Sequence, residues 1–339
     1  MVIAFNNPDQ VTRLHNVKAI AGGDFENVNK VISISDLVIL GPGGLIEDYA
    51  RLDAKHLFNP QGMYQYLYPI IMSQLYDKLT IGYGLGVGPL HLKQSKNAVK
   101  LALNGMDKIY VRDVRSLSLL EEIGLRNAEL SADAVLNLKL QQNDTRLDSK
   151  TEKNKTIIGI SLRPFIDIDI ERLLKELSIF MLHMMEDTNI DFALIPMQYV
   201  YDMPVIKKLY DLIISRSEFY SNRIRIIDDG LHPRTLMEYI NTLDLMIGMR
   251  LHSIIMASAL NKPFIAIEYD PKVSEFAKAL SMDEYVIKAN EVDGDNICKK
   301  AISLLHDKEI LILLTSSFKS QNALEYKAWS YVKNLLLNM

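Results

Sequence analysis

Two arginines and a histidine sit where alternating apolar and amphipathic stretches could put them to use. GMRLHS, Gly248–Ser253, follows the apolar run Leu245–Ile247 and sets Arg250 and His252 at a strand-to-helix junction. Arginine offers a planar fork of donors matched to carboxylate and phosphate oxygens. Histidine can carry a proton near neutral pH, its bland alternative being a satisfied core position. VRDVRS, Val111–Ser116, ends the run Lys108–Val111 with Arg112 and Asp113. Those two are either an anion site or a simple Arg–Asp pair, with Asp113 or Ser116 capping the next helix. YDPKV, Tyr269–Val273, brings Lys272 to the start of a helix, where the helix dipole disfavours a cation. A bound anion would account for it, and so would exposure to solvent. SLRPF adds Arg163 and IPMQ adds Gln198. All of these fall at the carboxyl ends of predicted strands, the edge at which open parallel sheets bind ligands. They predict a polyanionic small ligand in an interdomain cleft.

Glycines mark the same edge in the first half. GPGG, Gly41–Gly44, follows Leu37–Leu40, and GYGLGVGP, Gly82–Pro89, follows Leu79–Ile81. Read as loops, they would let backbone approach a ligand and turn N–H groups toward an anion, with Gly43, Gly44, Gly86 and Gly88 lining a cleft; the alternative is two tight turns. Neither matches the dinucleotide or P-loop pattern. Acidic residues are scattered, and no His/Asp/Glu cluster has metal-ligand spacing, so no metal site is predicted.

The elements that must position these residues alternate as βα units do, which predicts an α/β fold with parallel sheets. Strands are predicted at Met1–Phe5, Leu37–Leu40, Leu79–Gly82, Lys108–Val111, Thr156–Leu162, Phe192–Pro196, Ile224–Ile227, Leu245–Gly248 and Pro263–Ile267. Helices are predicted at Gln61–Asp77, Ser95–Asn104, Arg115–Ile123, Ile168–Asp187, Met203–Ser215, Pro233–Asn241, His252–Leu260 and Val273–Leu280. Gln141–Lys155 has seven charged residues in fifteen and one aliphatic, Leu147, which reads as an exposed linker. The division is therefore 1–140, a linker at 141–155, a second domain at 156–310, and a tail at 311–339. The tail carries a helix at Phe318–Leu337, either an ordinary packing helix or one crossing back to the first domain. A length of 339 residues suits two domains. Lys and Arg total 38 against 42 Asp and Glu, a net charge of −4 that argues against a basic nucleic-acid surface. The single cysteine, Cys298, excludes an internal disulfide and fits a reducing cytoplasmic setting. No apolar stretch has membrane-spanning length, and MVIAFNNPDQ lacks the layout of a signal peptide.

In order along the chain, GPGG, GLGVGP, VRDVRS, SADA (Ser131–Ala134), SLRPF, GMRLHS and PFIAIEYDPKVSEF resemble the polysaccharide pyruvyl transferases. The bacterial enzymes that modify cell-wall polysaccharide are the nearest in pattern, and MRLH with DPKV is the most specific part. The resemblance implies two Rossmann-like domains facing across a cleft, as in B-type glycosyltransferases. It implies phosphoenolpyruvate as donor and co-substrate, with no other cofactor, bound by Arg112, Arg250, Leu251 through its backbone, His252 and Lys272. Arg250 and His252 would be catalytic, His252 as proton donor or as phosphate ligand. The acceptor implied is a cell-surface glycan, held on the side of the first domain and lipid-linked in the nearest relatives. That would place the enzyme at the inner face of the plasma membrane with at most peripheral contact. Three departures are mild: Pro42 in the first glycine motif, Leu85 in the second, and Ala134 after Asp133. A fourth is larger. The family opens with a strand and a Gly-Asp loop, whereas Met1–Phe5 look like its second strand, so the first domain is expected to lack its opening strand.

The reaction expected is transfer of a pyruvyl group to two hydroxyls of one sugar as a cyclic ketal. Two other classes share the pattern: a B-type glycosyltransferase or nucleotide-sugar epimerase, and a non-catalytic anion-binding remnant.

Overall fold

The computed structural model describes residues 1–4, 7–48, 62–138, 155–216, 218–227 and 232–339. The chain divides into two compact units, one of residues 1–137 and 321–339, the other of residues 138–320. All but Lys155 of the linker predicted at 141–155 lies outside the described residues.

The first unit opens with β1 (Val2–Ala4), α1 (Pro8–His15), β2 (Ala19–Ala21) and α2 (Phe25–Ser33). Asn7 and Asp24 cap the two helices through their side chains. Then come β3 (Leu37–Leu40), β4 (Gly43–Ile46), α3 (Tyr64–Leu75), β5 (Leu79–Val87), α4 (Lys93–Asn104), β6 (Lys108–Val111), α5 (Val114–Glu122) and β7 (Ala128–Leu130). A parallel sheet of order β3-β5-β6-β7, with β4 also on β5, carries most of this unit, while β1 and β2 pair only with each other. An apolar cavity of about 580 Å³ lies between β1, α2, β3 and α3. Its lining includes Ile3, Ile32, Val38 and Ile70.

The second unit holds β8 (Thr156–Ser161), α6 (Ile170–Met184), β9 (Ile190–Leu194), α7 (Tyr199–Ile214), β10 (Ile224–Ile226), α8 (Pro233–Asn241) and β11 (Leu245–Gly248). It continues with α9 (Leu251–Ala259), β12 (Phe264–Glu268), α10 (Pro271–Ala279), β13 (Val286–Lys288) and α11 (Gly294–His306). The helices take their amphipathic spacing to the sheet: α6 buries Leu173, Leu174, Leu177, Phe180, Met181 and Met184, and Phe180 meets Phe192 of β9 edge-on at 5.6 Å. All strands pair in parallel in the order β10-β9-β8-β11-β12-β13. The chain winds outward from β8 in one direction and from β11 in the other, so β8 and β11 form the switch point of a doubly wound sheet. Open α/β sheets bind ligands just beyond the carboxyl ends of such a strand pair.

The last helix, α12 (Lys308–Asn338), is one element of 31 residues. Its residues up to Ser320 cluster with the second unit and those from Gln321 with the first, where Ala328 and Val332 pack on Ile81 and Tyr110.

The glycine motifs differ from expectation. Gly43–Gly44 lie in β4 and Gly82–Val87 in β5, while Gly41–Pro42 and Gly88–Pro89 lie outside the strands. β5 runs from Leu79 through Val87, crossing a register shift between Gly82 and Leu85, with Gly84 at φ +62°. A glycine takes that left-handed backbone without steric cost, so the strand bends and goes on pairing. Gly43 and Gly44 then lie beside Leu85 and Gly86 as a parallel ladder.

Candidate functional site

Arg250 stands at the switch point. Gly248 ends β11 beside Ser161 of β8, and Arg250 two residues later is the N-cap of α9, with no side-chain cap of its own. Its guanidinium is fixed from the neighbouring element. Nε donates to both oxygens of Asp202 at 3.1 and 3.2 Å, and Nη2 donates to Asp202 at 2.5 Å and to Gln198 Oε1 at 3.1 Å. Asp202 lies in the first turn of α7 and is fully buried, accepting also from the backbone N–H groups of Met197 and Gln198. A buried carboxylate that accepts from four donors holds a planar cation in one orientation. His252 is exposed on the first turn of α9 and Leu251 is buried beneath it. The amino end of a helix favours an anion through its dipole and its first N–H groups. Ser161 Oγ, fully buried at the end of β8, has no hydrogen-bond partner.

A second group of cations shares one aromatic ring. Arg163, after β8, donates from Nη1 to the Tyr269 hydroxyl at 2.9 Å and lies 4.6 Å from that ring's centroid. Phe165 meets Tyr269 edge-on at 5.0 Å, and Lys272 Nζ lies 5.4 Å from the same centroid. The sequence reading left Lys272 to a bound anion or to solvent exposure, and the structure adds a third account. Its place at the helix start is accounted for by Asp270, the N-cap of α10, whose carboxylate accepts from the Lys272 N–H and lies 3.5 Å from Nζ. A neighbouring carboxylate, 6% exposed, offsets the dipole there without any bound anion. A pocket of about 360 Å³ opens beside this group, lined by Phe165, Tyr269, Glu268, Lys288 and Asn290.

Arg112 belongs to the first unit. It follows β6 with its side chain 8% exposed and donates from Nη1 to Asp133 at 2.9 Å, with Asp113 at 3.6 Å from Nε. Asp113 caps α5 by accepting from the Ser116 N–H. The guanidinium lies flat on the glycine strands: a Cβ at Gly86 would stand 2.8 Å from Nε, and one at Gly44 3.4 Å from Nη2. These two glycines are therefore small to admit Arg112, a direct reason for their type. Arg112 Nε and Ser131 Oγ, each one residue past the paired strands β6 and β7, are both buried without a hydrogen-bond partner.

Gly44 and Gly86 thus come together with Arg112, Gln198 with Arg250, and Arg163 with Lys272. Gly43 lies in β4 and Gly88 follows β5, neither with a cationic side chain against it. Sequence reasoning missed Asp202 and Tyr269. The helix expected at Met203–Ser215 begins instead at Tyr199 and carries Pro204 inside it, which places Asp202 in its first turn. Among the described residues no group of His, Cys, Asp and Glu could hold a metal ion, and no helix is long and apolar enough to cross a membrane.

The profile of the polysaccharide pyruvyl transferases matches residues 2–271. The chain belongs to that family. No curated protein sequence matches it. Among solved structures, a Listeria monocytogenes protein assigned as a UDP-N-acetylglucosamine 2-epimerase is similar at 12% identity, with a TM-score of 0.68 over 98% of this chain and 87% of that one. The UDP-N-acetylglucosamine 2-epimerase of Neisseria meningitidis, bound to UDP-GlcNAc, gives 0.60 at 12% identity over 97% and 88%. Anabaena HepE, in complex with UDP and glucose, gives 0.57 at 12% identity over 98% and 89%. At such identities the likeness concerns the fold, the parallel α/β architecture of B-type glycosyltransferases and epimerases.

Proposed function

We propose that this member of the family transfers the pyruvyl group of phosphoenolpyruvate to two hydroxyls of one sugar of a surface polysaccharide, releasing phosphate and leaving a cyclic ketal. The observation that carries the reading is Arg250 at the switch point, held flat by buried Asp202 at the amino end of α9. Its Nε and one Nη are committed to Asp202 and Gln198, so its second Nη is the edge left for a ligand oxygen. With the first-turn N–H groups of α9 and the exposed His252, it offers an edge suited to a phosphate or a carboxylate, and Lys272, beside Tyr269, is a further member that the family resemblance implies. Arg112, in the first unit, is the remaining member of the donor set that the family resemblance implies. The acceptor is a glycan, lipid-linked by that resemblance, and phosphoenolpyruvate is the co-substrate with no further cofactor.

In the reaction a proton adds to the enol methylene, and a sugar hydroxyl adds to the enol carbon and loses its own proton. Phosphate departs, taking the electron pair of its C–O bond, and the second hydroxyl closes the ring. Arg250 would steady the charge gathering on the leaving phosphate, and His252 would hand over a proton or hydrogen-bond the phosphate. Release of inorganic phosphate from phosphoenolpyruvate, assayed with a panel of surface-glycan acceptors, tests this. Arg250→Ala and His252→Ala should each abolish release while their melting profiles stay cooperative. Full turnover in either variant contradicts the assignment.

A further inference from the structure

Glu325 is a fully buried carboxylate that the reaction above does not use. It sits on the part of α12 that clusters with the first unit, and each of its oxygens takes a different neighbour. The Tyr83 hydroxyl donates to Oε1 and Asn137 Nδ2 donates to Oε2, both at very short range. Tyr83 lies in β5 three residues before Gly86, the glycine on which the Arg112 guanidinium rests. Asn137 ends the 3₁₀ turn Ala134–Asn137, which begins one residue after Asp133, the main partner of Arg112. One carboxyl group therefore ties down both backbone segments that bracket Arg112.

We propose that Glu325 is a positioning residue that sets the geometry of Arg112 by clamping the glycine strand to the turn that directly follows Asp133. Its oxygens have no other described partner, so their hydrogen bonds serve the clamp alone. Tyr83 from β5 and Asp133 just before the turn are the titratable groups that face it; Arg112 lies beyond Asp133, and Tyr110 of β6 packs on the same helix. Burial first, and then the nearby Asp133 charge, push the Glu325 carboxyl above the ordinary carboxylate range, against the Tyr83 hydrogen bond. The link to donor binding rests on the reading of Arg112 as a donor residue; the clamp itself does not.

Two measurements on the full chain separate these. Amide hydrogen exchange reads the clamp: Glu325→Ala should speed exchange at residues 83–88 and 131–137 at least tenfold, and Glu325→Gln, which keeps the shape but only one acceptor oxygen, should restore protection in one of the two segments. Unchanged exchange in both segments overturns the proposal. Should Glu325→Ala fail to fold, Tyr83→Phe, which removes one hydroxyl, replaces it with a smaller increase expected at 83–88. Calorimetric titration with phosphoenolpyruvate reads the consequence: Glu325→Ala should weaken binding about tenfold in the wild-type background and by less than twofold when Arg112 is already alanine. Equal weakening in both backgrounds means Glu325 does not act through Arg112 and overturns the proposal. If the wild-type chain does not bind phosphoenolpyruvate while exchange still responds, the clamp stands and the donor assignment falls.

Discussion

Arg112 and Arg250 make an instructive pair. Each follows a parallel strand, and each is held by an aspartate that is nearly or fully buried. Asp202 takes hydrogen bonds from two positions of Arg250, and Gln198 accepts a third. Arg112 makes one short contact with Asp133 and keeps a buried Nε without a hydrogen-bond partner, pressed on two glycines. The first arrangement is a finished brace that leaves one outward edge. The second is a cation with one buried nitrogen left without a hydrogen bond. An arginine's type and place do not separate these roles; the count of satisfied donors does.

The largest expected effect follows from breaking the finished brace. Asp202→Ala leaves Arg250 without its buried partner and should cost about 3–5 kcal/mol. At roughly 2–4 °C per kcal/mol for a unit of this size, melting should fall on the order of 10 °C in calorimetry. Asp133→Ala should cost less, about 1–3 kcal/mol, since Asp113 still stands beside Arg112. A loss as large as that of Asp202→Ala would make the two arginines alike and remove the contrast. Gly86→Ala should instead act on position: the new methyl meets the guanidinium at 2.8 Å, so Arg112 must shift. A roughly tenfold weaker phosphoenolpyruvate affinity is expected, with melting lowered by only a few degrees.

The smallest effect is a pH dependence. Glu325 is raised in the folded protein, chiefly by burial. A carboxyl raised on folding supports stability fully below its unfolded value near 4.5, and that support fades as pH rises through the folded value. The melting temperature of Glu325→Gln should therefore gain on wild type between pH 5 and pH 9. A constant difference would mean the carboxyl does not titrate differently on folding.

Much of this was legible because parallel strands buried on both faces advertise themselves. Ile109–Val111 and Leu245–Gly248 are continuous buried apolar runs, and Arg112 and Arg250 just past them mark the carboxyl edges of their sheets. Strand order was not legible, so nothing in the sequence put Arg250 rather than Arg112 at a switch point. The three-residue strands β2, β7 and β13 escaped for want of length, and β4 and the second half of β5 because glycine reads as a turn when no neighbour is known. Glu325 was least visible of all. Its helix has a charged residue among apolar ones, and only the folded partners, Tyr83 and Asn137, some 240 and 190 residues earlier, reveal that it is buried.

Calorimetric titration of the wild-type chain with phosphoenolpyruvate, and separately with UDP-N-acetylglucosamine, decides the identity of the donor. Saturable binding of phosphoenolpyruvate that Arg250→Ala abolishes is expected, with no binding of the nucleotide sugar. Binding of UDP-N-acetylglucosamine with none of phosphoenolpyruvate would contradict the proposed donor and place the chain's activity with the nucleotide-sugar enzymes whose fold it shares.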